Sequence, residues 1–461
     1  MCALNPIRTN SNHAWSQLRS VLVVGGLVLS SSAYAMEFKG QLRVGAFTRT
    51  VSLSEQAGES SNDEYIMSGQ VHLEAYELNG DNDQIILEAR DKVDNFGKLE
   101  RENLRLTTYN RMQLRTFAYQ RPFEFNKTYF SLGRFSLPEA NLLVHDGLEV
   151  GYRFSKNTRA GFYAGLGPKD ILTPLYVDPL SERSSSGLQA GAYVTYDRKE
   201  GAEDSSYLTQ GFGKAPTYDL TDAEDHMSYF QQGLWTFSAA NRLSSLVLFD
   251  VQPASKLRRG SLAYTYLSEN LRTTASVQQT DTEDYLLKQE VQDALLPSAV
   301  QSVALDVRQR TSSHLSFDYL LRYGRRAADS LTQDELGVGI LKHEFLGKSD
   351  SVRFQLALRR NFTSRDRIYR LAYDYWSRSL SIGLSHVMTQ LSYDSGRNDT
   401  RQDTSLDAGF FLSDKLRGSL GIQREADSLV SANALFFMVG YRFGGGSASP
   451  VRQKPALFES M

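Results

Sequence analysis

The feature that most constrains this chain is a period-two alternation of apolar and polar side chains that recurs along almost its whole length. Residues 431–443 show it clearly, because Leu435, Phe437, Val439 and Tyr441 share one face of an extended chain. Alternation sustained over about ten residues predicts a strand, since an amphipathic helix repeats about every 3.6 residues. This strand is wholly apolar on one face.

The same alternation divides most of the chain into segments of strand length. The apolar positions of these segments fall at residues 38–46, 67–75, 85–89, 112–118, 148–154, 160–166, 188–194, 262–266, 271–277, 315–321, 336–340, 352–358, 369–375, 380–384, 406–412 and 416–422. No linker rich in proline or serine separates them, and the composition does not change along the chain. The pattern therefore predicts one large all-β domain.

The residues opposite the apolar faces distinguish a membrane barrel from a soluble sandwich. In a sandwich these positions meet water, and Lys and Glu dominate them. Here they are rich in Gly, Ser, Gln, Tyr and Arg, which is typical of a lumen in which side chains crowd one another. Short connectors such as 79–83, 155–158, 347–350 and 413–415 alternate with longer ones at 52–64, 168–186, 282–300 and 393–404. Alternating short turns and long loops predict an antiparallel up-and-down barrel.

The number of strands is less sharply defined. We count about 21 segments, whereas a closed single-chain bacterial barrel has an even number. Residues 205–212 are a candidate for a further strand, which would give 22. Alternatively, two segments near 84–135 are loop. We therefore predict about 18 to 22 strands.

The N-terminus has the pattern of an export signal. Arg8 and Arg19 precede or flank the short apolar run 21–29, and small residues lead to a cleavage position after Ala35. The run is too short to span a bilayer, which takes about 20 apolar residues. We predict that residues 1–35 are a signal peptide and that the mature chain starts at Met36.

The mature chain lacks cysteine, because Cys2 lies within the predicted signal. A disulfide framework and a thiolate metal site are thus excluded, which suits a chain exported through an oxidising compartment. Loss of Arg8 and Arg19 takes the formal net charge from −2 to −4. Near-balanced charge gives no reason to expect a nucleic-acid partner.

The C-terminal strand ends in Tyr-x-Phe and resembles the closing strand of bacterial outer-membrane β-barrel (porin-like) proteins. The resemblance implies that residues 36–443 form a transmembrane β-barrel in the lipid of a Gram-negative outer membrane. It also implies that Phe437, Tyr441 and Phe443 form the signal read by the barrel assembly machinery. Most such barrels end at the terminal Phe, whereas here residues 444–461 follow and predict a flexible, glycine-rich tail.

The predicted inner wall carries more arginine and lysine than acid. The candidate lumen-lining residues that would favour anions are Lys39, Arg43, Arg90, Lys92, Arg111, Arg115, Arg153 and Arg159, and Arg417 and Arg442 are also placed inward. Fixed guanidinium groups in a water-filled channel raise the local anion concentration. The alternative is that these side chains pair with inward acids, such as Glu74, Glu88 and Glu149, and brace the wall.

We predict a porin-like channel for the passive or substrate-preferring diffusion of small, possibly anionic solutes. The alternative is a non-catalytic structural or docking component of an outer-membrane assembly; the oligomeric state is open. An apolar pattern at 286–296 predicts a loop helix, which either narrows the channel or caps the rim. The pairs His145-Asp146 and Asp225-His226 are predicted loop residues. Neither has a recognisable catalytic or metal-binding spacing, so we predict no enzyme activity, cofactor or metal.

Overall fold

The computed structural model describes residues 37–53, 60–76, 83–95, 111–122, 126–140, 143–167, 188–199, 205–216, 225–252, 255–281, 300–327 and 329–444. The predicted signal peptide, the helix at 286–296 and all of the tail except Gly444 lie outside the described residues.

The described residues form 22 strands and one short 3-10 turn at Pro138–Ala140. The strands are β1 (Glu37–Leu53), β2 (Ser60–Tyr76), β3 (Gln84–Asn95), β4 (Arg111–Arg121), β5 (Thr128–Leu137), β6 (Leu143–Arg153), β7 (Thr158–Leu166), β8 (Leu188–Lys199), β9 (Ser205–Pro216), β10 (Asp225–Ser238), β11 (Asn241–Gln252), β12 (Lys256–Leu267), β13 (Leu271–Thr280), β14 (Val300–Ser312), β15 (Leu315–Arg326), β16 (Thr332–His343), β17 (Asp350–Asn361), β18 (Ser364–Trp376), β19 (Leu380–Tyr393), β20 (Asn398–Phe411), β21 (Leu416–Ala426) and β22 (Val430–Phe443).

Each strand pairs antiparallel with the next, and β22 pairs with β1, so the sheet closes on itself. The predicted up-and-down barrel is confirmed at the upper limit of the predicted strand number. The additional strand is β9, which contains the candidate segment 205–212. The alternative in which segments near 84–135 are loop is wrong, because β3, β4 and β5 are all strands of the sheet.

The outer face of the barrel is apolar and exposed. Phe162, Leu336 and Leu358 leave half or more of their surface uncovered, and the other large exposed residues alternate with inward polar ones in the same way. A continuous apolar exterior on a closed sheet is the surface that a barrel presents to lipid. The predicted fold, a closed antiparallel β-barrel with an apolar outer face, is confirmed. No helix among the described residues is long and apolar enough to cross a membrane.

Two predicted connections are wrong. Residues 52–64 are mostly strand, since β1 runs to Leu53 and β2 starts at Ser60. Residues 393–404 contain only a short turn, since β19 ends at Tyr393 and β20 starts at Asn398. Polar side chains form hydrogen bonds across the strands at both places: Thr50 donates to Asp63 at 2.8 Å, and His386 and Thr404 lie 2.8 Å apart.

The predicted faces of β4 also need correction. Ala118, predicted to be outward, is 2% exposed, and its neighbour Phe117 is 55% exposed. The cause is a bulge: Glu88 lies opposite Thr116, whereas the next residue, Ala89, lies opposite Leu114. One extra residue in β4 exchanges the two faces beyond it.

The two ends of the barrel differ in what they carry. Odd-numbered strands start at the end that holds Glu37 and Phe443, which we call the termini end, and run to the opposite, loop end. At the termini end Phe443 lies opposite Gly40, and its ring occupies the space that a side chain at Gly40 would need. Phe443 also stacks on Tyr441, with ring centroids 6.3 Å apart.

Candidate functional site in the lumen

Three arginines lie on one line of cross-strand neighbours that crosses the inner faces of β3, β2, β1, β22 and β21. Arg90 lies opposite Gln70, which lies opposite Arg43. Arg43 in turn lies opposite Gly440, which lies opposite Arg417. We call Arg90, Arg43 and Arg417 the arginine row. It crosses the seam between β22 and β1, so only closure of the barrel brings its members together.

The arginine row has no carboxylate partner among the described side chains. Arg43 donates to the Gln41 amide oxygen at 3.1 Å, and the Arg417 guanidinium lies 5.5 Å from the centre of the Phe411 ring. Arg442 lies opposite Gln41 and therefore next to the row. Arg43 is exposed and the others are partly exposed. Their positive charge is available to the lumen.

The nearby acids are engaged by other groups. Glu74 contacts His72 at 2.8 Å and accepts a hydrogen bond from Tyr76. Glu88 accepts hydrogen bonds from the amide of Gln70 at 2.9 Å and from the Arg115 guanidinium at 3.2 Å. The acids on this wall thus neutralise neighbours of the arginine row rather than the row itself.

Arginines on β14–β17 are held differently. Arg308 pairs with Asp318 at 2.6 Å, Arg322 with Glu335 at 3.6 Å, and Arg359 with Asp366 at 2.7 Å. Each pair joins adjacent strands on the inner face. We call these three the paired arginines. Arg370, on the next strand, contacts the Gln355 amide at 3.4 Å.

The β5–β6 hairpin bends into the barrel. The bend is at Gly133, whose φ of +119° lies in the region that L side chains avoid, and whose missing Cβ leaves room for the Phe117 carbonyl. Beyond it Phe135 and Leu137 are almost fully buried, and the 3-10 turn lies against β8 and β9. We call residues 134–140 and 143–146 the inward hairpin.

The inward hairpin connects parts of the wall that are not neighbours in the sheet. Its Phe135 and Leu137 belong to one buried apolar cluster with Ala118 on β4 and Phe230 on β10. Glu139 at the tip forms an ion pair with Arg159 on β7, with an N–O distance of 2.7 Å. The hairpin therefore fills the side of the lumen lined by β4–β10 and leaves the passage to the side that carries the arginine row.

Tyrosine rings under this hairpin lie over glycines of adjacent strands. A side chain at Gly151 would overlap the Tyr129 ring, and one at Gly161 would overlap the Tyr193 ring. Tyr129 and Tyr193 share a hydrogen bond of 3.1 Å, and Tyr193 donates to Glu149. Glu149, an inward acid in the sequence interpretation, is thus buried in a polar network and does not face the passage.

The structure brings together only part of the predicted lumen-lining set. Lys39 lies opposite Glu74, with its ammonium 4.5 Å from the centre of the Tyr76 ring. Arg115, predicted to share a face with Arg111, is the extra residue of the β4 bulge and pairs with Glu88. Arg153 and Arg159 lie opposite each other near the termini end. Arg159 forms its ion pair with Glu139 of the inward hairpin. Lys92 and Arg111 are backbone neighbours in the sheet, and their side chains lie outside those described.

Both acid–histidine pairs are in strands rather than in the loops where they were predicted. His145 belongs to β6, is 0% exposed and contacts Gln189 at 3.1 Å on the inner side. Asp146 points to the outer side, where Arg134 donates two hydrogen bonds of 2.6 Å to it. Adjacent residues of a strand face opposite ways, so these two do not form a dyad. Asp225 and His226 start β10. The described residues hold no group of His, Cys, Asp and Glu suited to a metal ion.

No protein-family model and no curated protein matches the chain. Solved structures that are similar to it include OccK7 (OpdD) of Pseudomonas aeruginosa, with 12% identity, coverage of 88% of this chain and 99% of that one, and a TM-score of 0.44. A BenF-like porin from Pseudomonas fluorescens Pf-5 has 11% identity, 89% and 99% coverage and a TM-score of 0.46. OccAB4 of Acinetobacter baumannii has 8% identity, 88% and 99% coverage and a TM-score of 0.42. Similarity at this level is one of fold alone.

Proposed function

We propose that the chain is an outer-membrane channel through which small anionic solutes diffuse past the arginine row. The observation that supports this most is the absence of carboxylate partners for Arg43, Arg90 and Arg417 among the described side chains. Uncompensated fixed charge in a narrow aqueous passage attracts ions of opposite sign. The inward hairpin confines solutes to the side of the lumen on which the row lies.

The other residues predicted to set selectivity contribute less in this proposal. Arg115 and Arg159 are neutralised by Glu88 and Glu139. Lys39 lies opposite Glu74. Lys92, Arg111 and Arg153 remain proposed lumen-lining residues that add to the positive potential. No catalytic step, cofactor or metal is part of the proposal.

Single-channel recording in planar lipid bilayers tests the function. The purified mature chain is expected to conduct and, in a tenfold gradient of KCl at low concentration, to give a reversal potential of the sign for chloride preference. A chain that inserts but carries no current would contradict the channel and favour the structural or docking role. A cation-selective current would leave the channel intact and contradict anion preference.

Location and assembly form the second part of the proposal. Residues 1–35 direct export, the loop end faces outward, and the tail beyond Phe443 lies in the periplasm. Phe437 and Tyr441 are exposed on the outer face of the closing strand, where an assembly machinery can contact them together with Phe443. Heat-modifiable migration of outer-membrane fractions tests this: Phe443→Ala and Tyr441→Ala should each lower the folded fraction. Phe345→Ala, which removes an exposed aromatic from a turn, is the matched control, and equal folding of all three variants would contradict the assigned signal.

A further inference from the structure

Three arginines occupy the outer, lipid-facing side of the barrel at the loop end of β17 and β18. Arg360 lies directly opposite Arg365, and Arg367 lies opposite Leu358 on the same face. All three are exposed. Below Arg367 the same face continues with Tyr369 and Leu371, so the arginines stand where the apolar band gives way to the interface. Elsewhere on this face the strands carry apolar side chains.

Two of these three charges have no partner among the described residues. Arg360 pairs with Asp334 at 3.3 Å and donates to Thr332 at 2.7 Å. Arg365 and Arg367 have no ion pair or hydrogen bond among the described residues. Like charges directly opposite each other on adjacent strands repel. A guanidinium that faces lipid also loses its hydration unless another polar group replaces water.

The arginines line a groove of about 1250 Å³. Hydroxyl and amide groups of Gln390, Ser392, Asn398 and Thr400 line it as well. All four of its carboxylates have partners: Asp334 pairs with Arg360 at 3.3 Å and Asp366 with Arg359 at 2.7 Å, Asp399 accepts from Arg397 at 3.2 Å, and Asp427 accepts from the backbone of Leu429 and Val430 at 2.8 Å. What remains is a concave surface with two guanidinium groups, those of Arg365 and Arg367, that have no partner among the described residues, together with neutral donors, which suits an anion with several oxygens.

The apolar part of the same groove indicates what carries that anion. Leu336 and Leu358 line it, with 52% and 50% of their surfaces exposed. A free phosphate would gain nothing from these two side chains, whereas the acyl chains of a lipid would cover them. Arginine binds phosphate through paired N–H groups of its planar fork.

We propose that this groove binds the phosphorylated head group of a glycolipid in the outer leaflet, with its acyl chains on the apolar face below. Arg365 and Arg367 bind the phosphate oxygens, Arg360 adds charge from the adjacent strand, and the hydroxyl and amide groups bind the sugar. The proposal rests on the proposed outer-membrane location and is independent of conduction, because Arg360, Arg365 and Arg367 lie on the outer face of the wall and the arginine row lies on its inner face.

Native mass spectrometry of the detergent-solubilised mature chain tests the site, with lipid A as the probe and EDTA present to exclude cation bridging. The unmutated chain should retain lipid A, should bind its dephosphorylated form far more weakly, and should not lose lipid A to millimolar inorganic phosphate. The variant Arg360→Gln/Arg365→Gln/Arg367→Gln should bind at least about tenfold more weakly. The single variant Arg365→Gln should lose a smaller part of the affinity for lipid A. It also relieves the repulsion with Arg360, so it can be tested even if the triple variant does not fold.

Arg424→Gln is the matched control, since Arg424 is exposed on the outer face of β21 opposite Thr404 and Asn433. It should bind lipid A as the unmutated chain does. Equal binding by the chain and both groove variants, or displacement of lipid A by inorganic phosphate, would overturn the proposal. Bilayer conductance separates this result from the proposed function: the groove variants should conduct normally, and a chain that binds lipid A without conducting would contradict only the channel.

Discussion

The arginine row and the paired arginines are the same residue type on the same inner wall, yet they differ in what balances their charge. Arg308, Arg322 and Arg359 each have a carboxylate on the adjacent strand. Arg43 instead donates a hydrogen bond to the side-chain amide oxygen of Gln41 on its own strand. Arg90 lies opposite the neutral side chain of Gln70. The paired arginines brace the sheet, whereas those of the row leave their charge to the lumen.

The difference shows that the number of inward arginines does not determine the potential of a barrel lumen. An ion pair appears nearly neutral at a distance longer than its own separation, whereas an arginine beside glutamine or glycine keeps a full charge. Selectivity therefore depends on the cross-strand partner, and that partner depends on the register of the sheet.

The largest expected effect follows removal of the row. A unit charge about 8 Å from a permeating ion contributes roughly 0.5 kcal/mol in water. Three such charges stabilise chloride by about 1.5 kcal/mol and destabilise potassium by about the same amount. Screening at 0.1 M reduces this difference of about 3 kcal/mol by roughly half, so Arg43→Ser/Arg90→Ser/Arg417→Ser should lower the chloride-to-potassium permeability ratio about tenfold. Reversal potentials in a salt gradient measure this ratio. Unchanged selectivity in a variant that still conducts would contradict the claim that the arginine row sets the selectivity.

Salt should produce the next largest effect. The Debye length falls from about 10 Å at 0.1 M to about 3 Å at 1 M. The anion preference of the unmutated channel should therefore decline steadily over this range, and the triple variant should change little. A preference that persists at 1 M would indicate selection by size or by direct binding rather than by the field of the row.

The smallest effect is expected when a paired arginine is removed together with its partner. Arg308→Gln/Asp318→Asn keeps the net charge and the volume of the wall, so the permeability ratio should change less than about twofold. The single substitution Arg308→Gln leaves Asp318 uncompensated and should shift the ratio toward cations. If the neutral double variant altered selectivity as much as the single one, the distinction between the two groups of arginines would fail.

The sequence predicts the barrel well because lipid imposes a simple requirement on every strand. Outward residues such as Leu336 and Leu358 must be apolar, so the outward face of a strand can be recognised from the sequence without knowing which strands pair. The bulge in β4 cannot be recognised in this way, because the extra residue between Leu114 and Thr116 does not alter the types of residue found in the strand. The start of β2 resembles loop for a similar reason, since residues 60–64 are polar on both faces.

The candidate site was only partly predictable. Arg43, Arg90 and Arg417 are each recognisable as inward residues, but their alignment requires the register of five strands and closure of β22 on β1. The sequence around the inward hairpin does not show that it leaves the wall, because the one signal, Gly133, has a φ that becomes evident only in the structure. Pairing across strands separated by many residues thus carries information that local periodicity does not contain.

The central claim is that the missing carboxylate makes the row selective, and Gln70→Glu tests it most directly. Gln70 lies between Arg90 and Arg43 on the same line of neighbours, so the substitution supplies a carboxylate without a change in shape. Gln70→Met, which adds no charge, is the control. We expect the reversal potential of Gln70→Glu at low salt to shift toward cations while Gln70→Met matches the unmutated channel. Equal reversal potentials for all three channels would contradict the account.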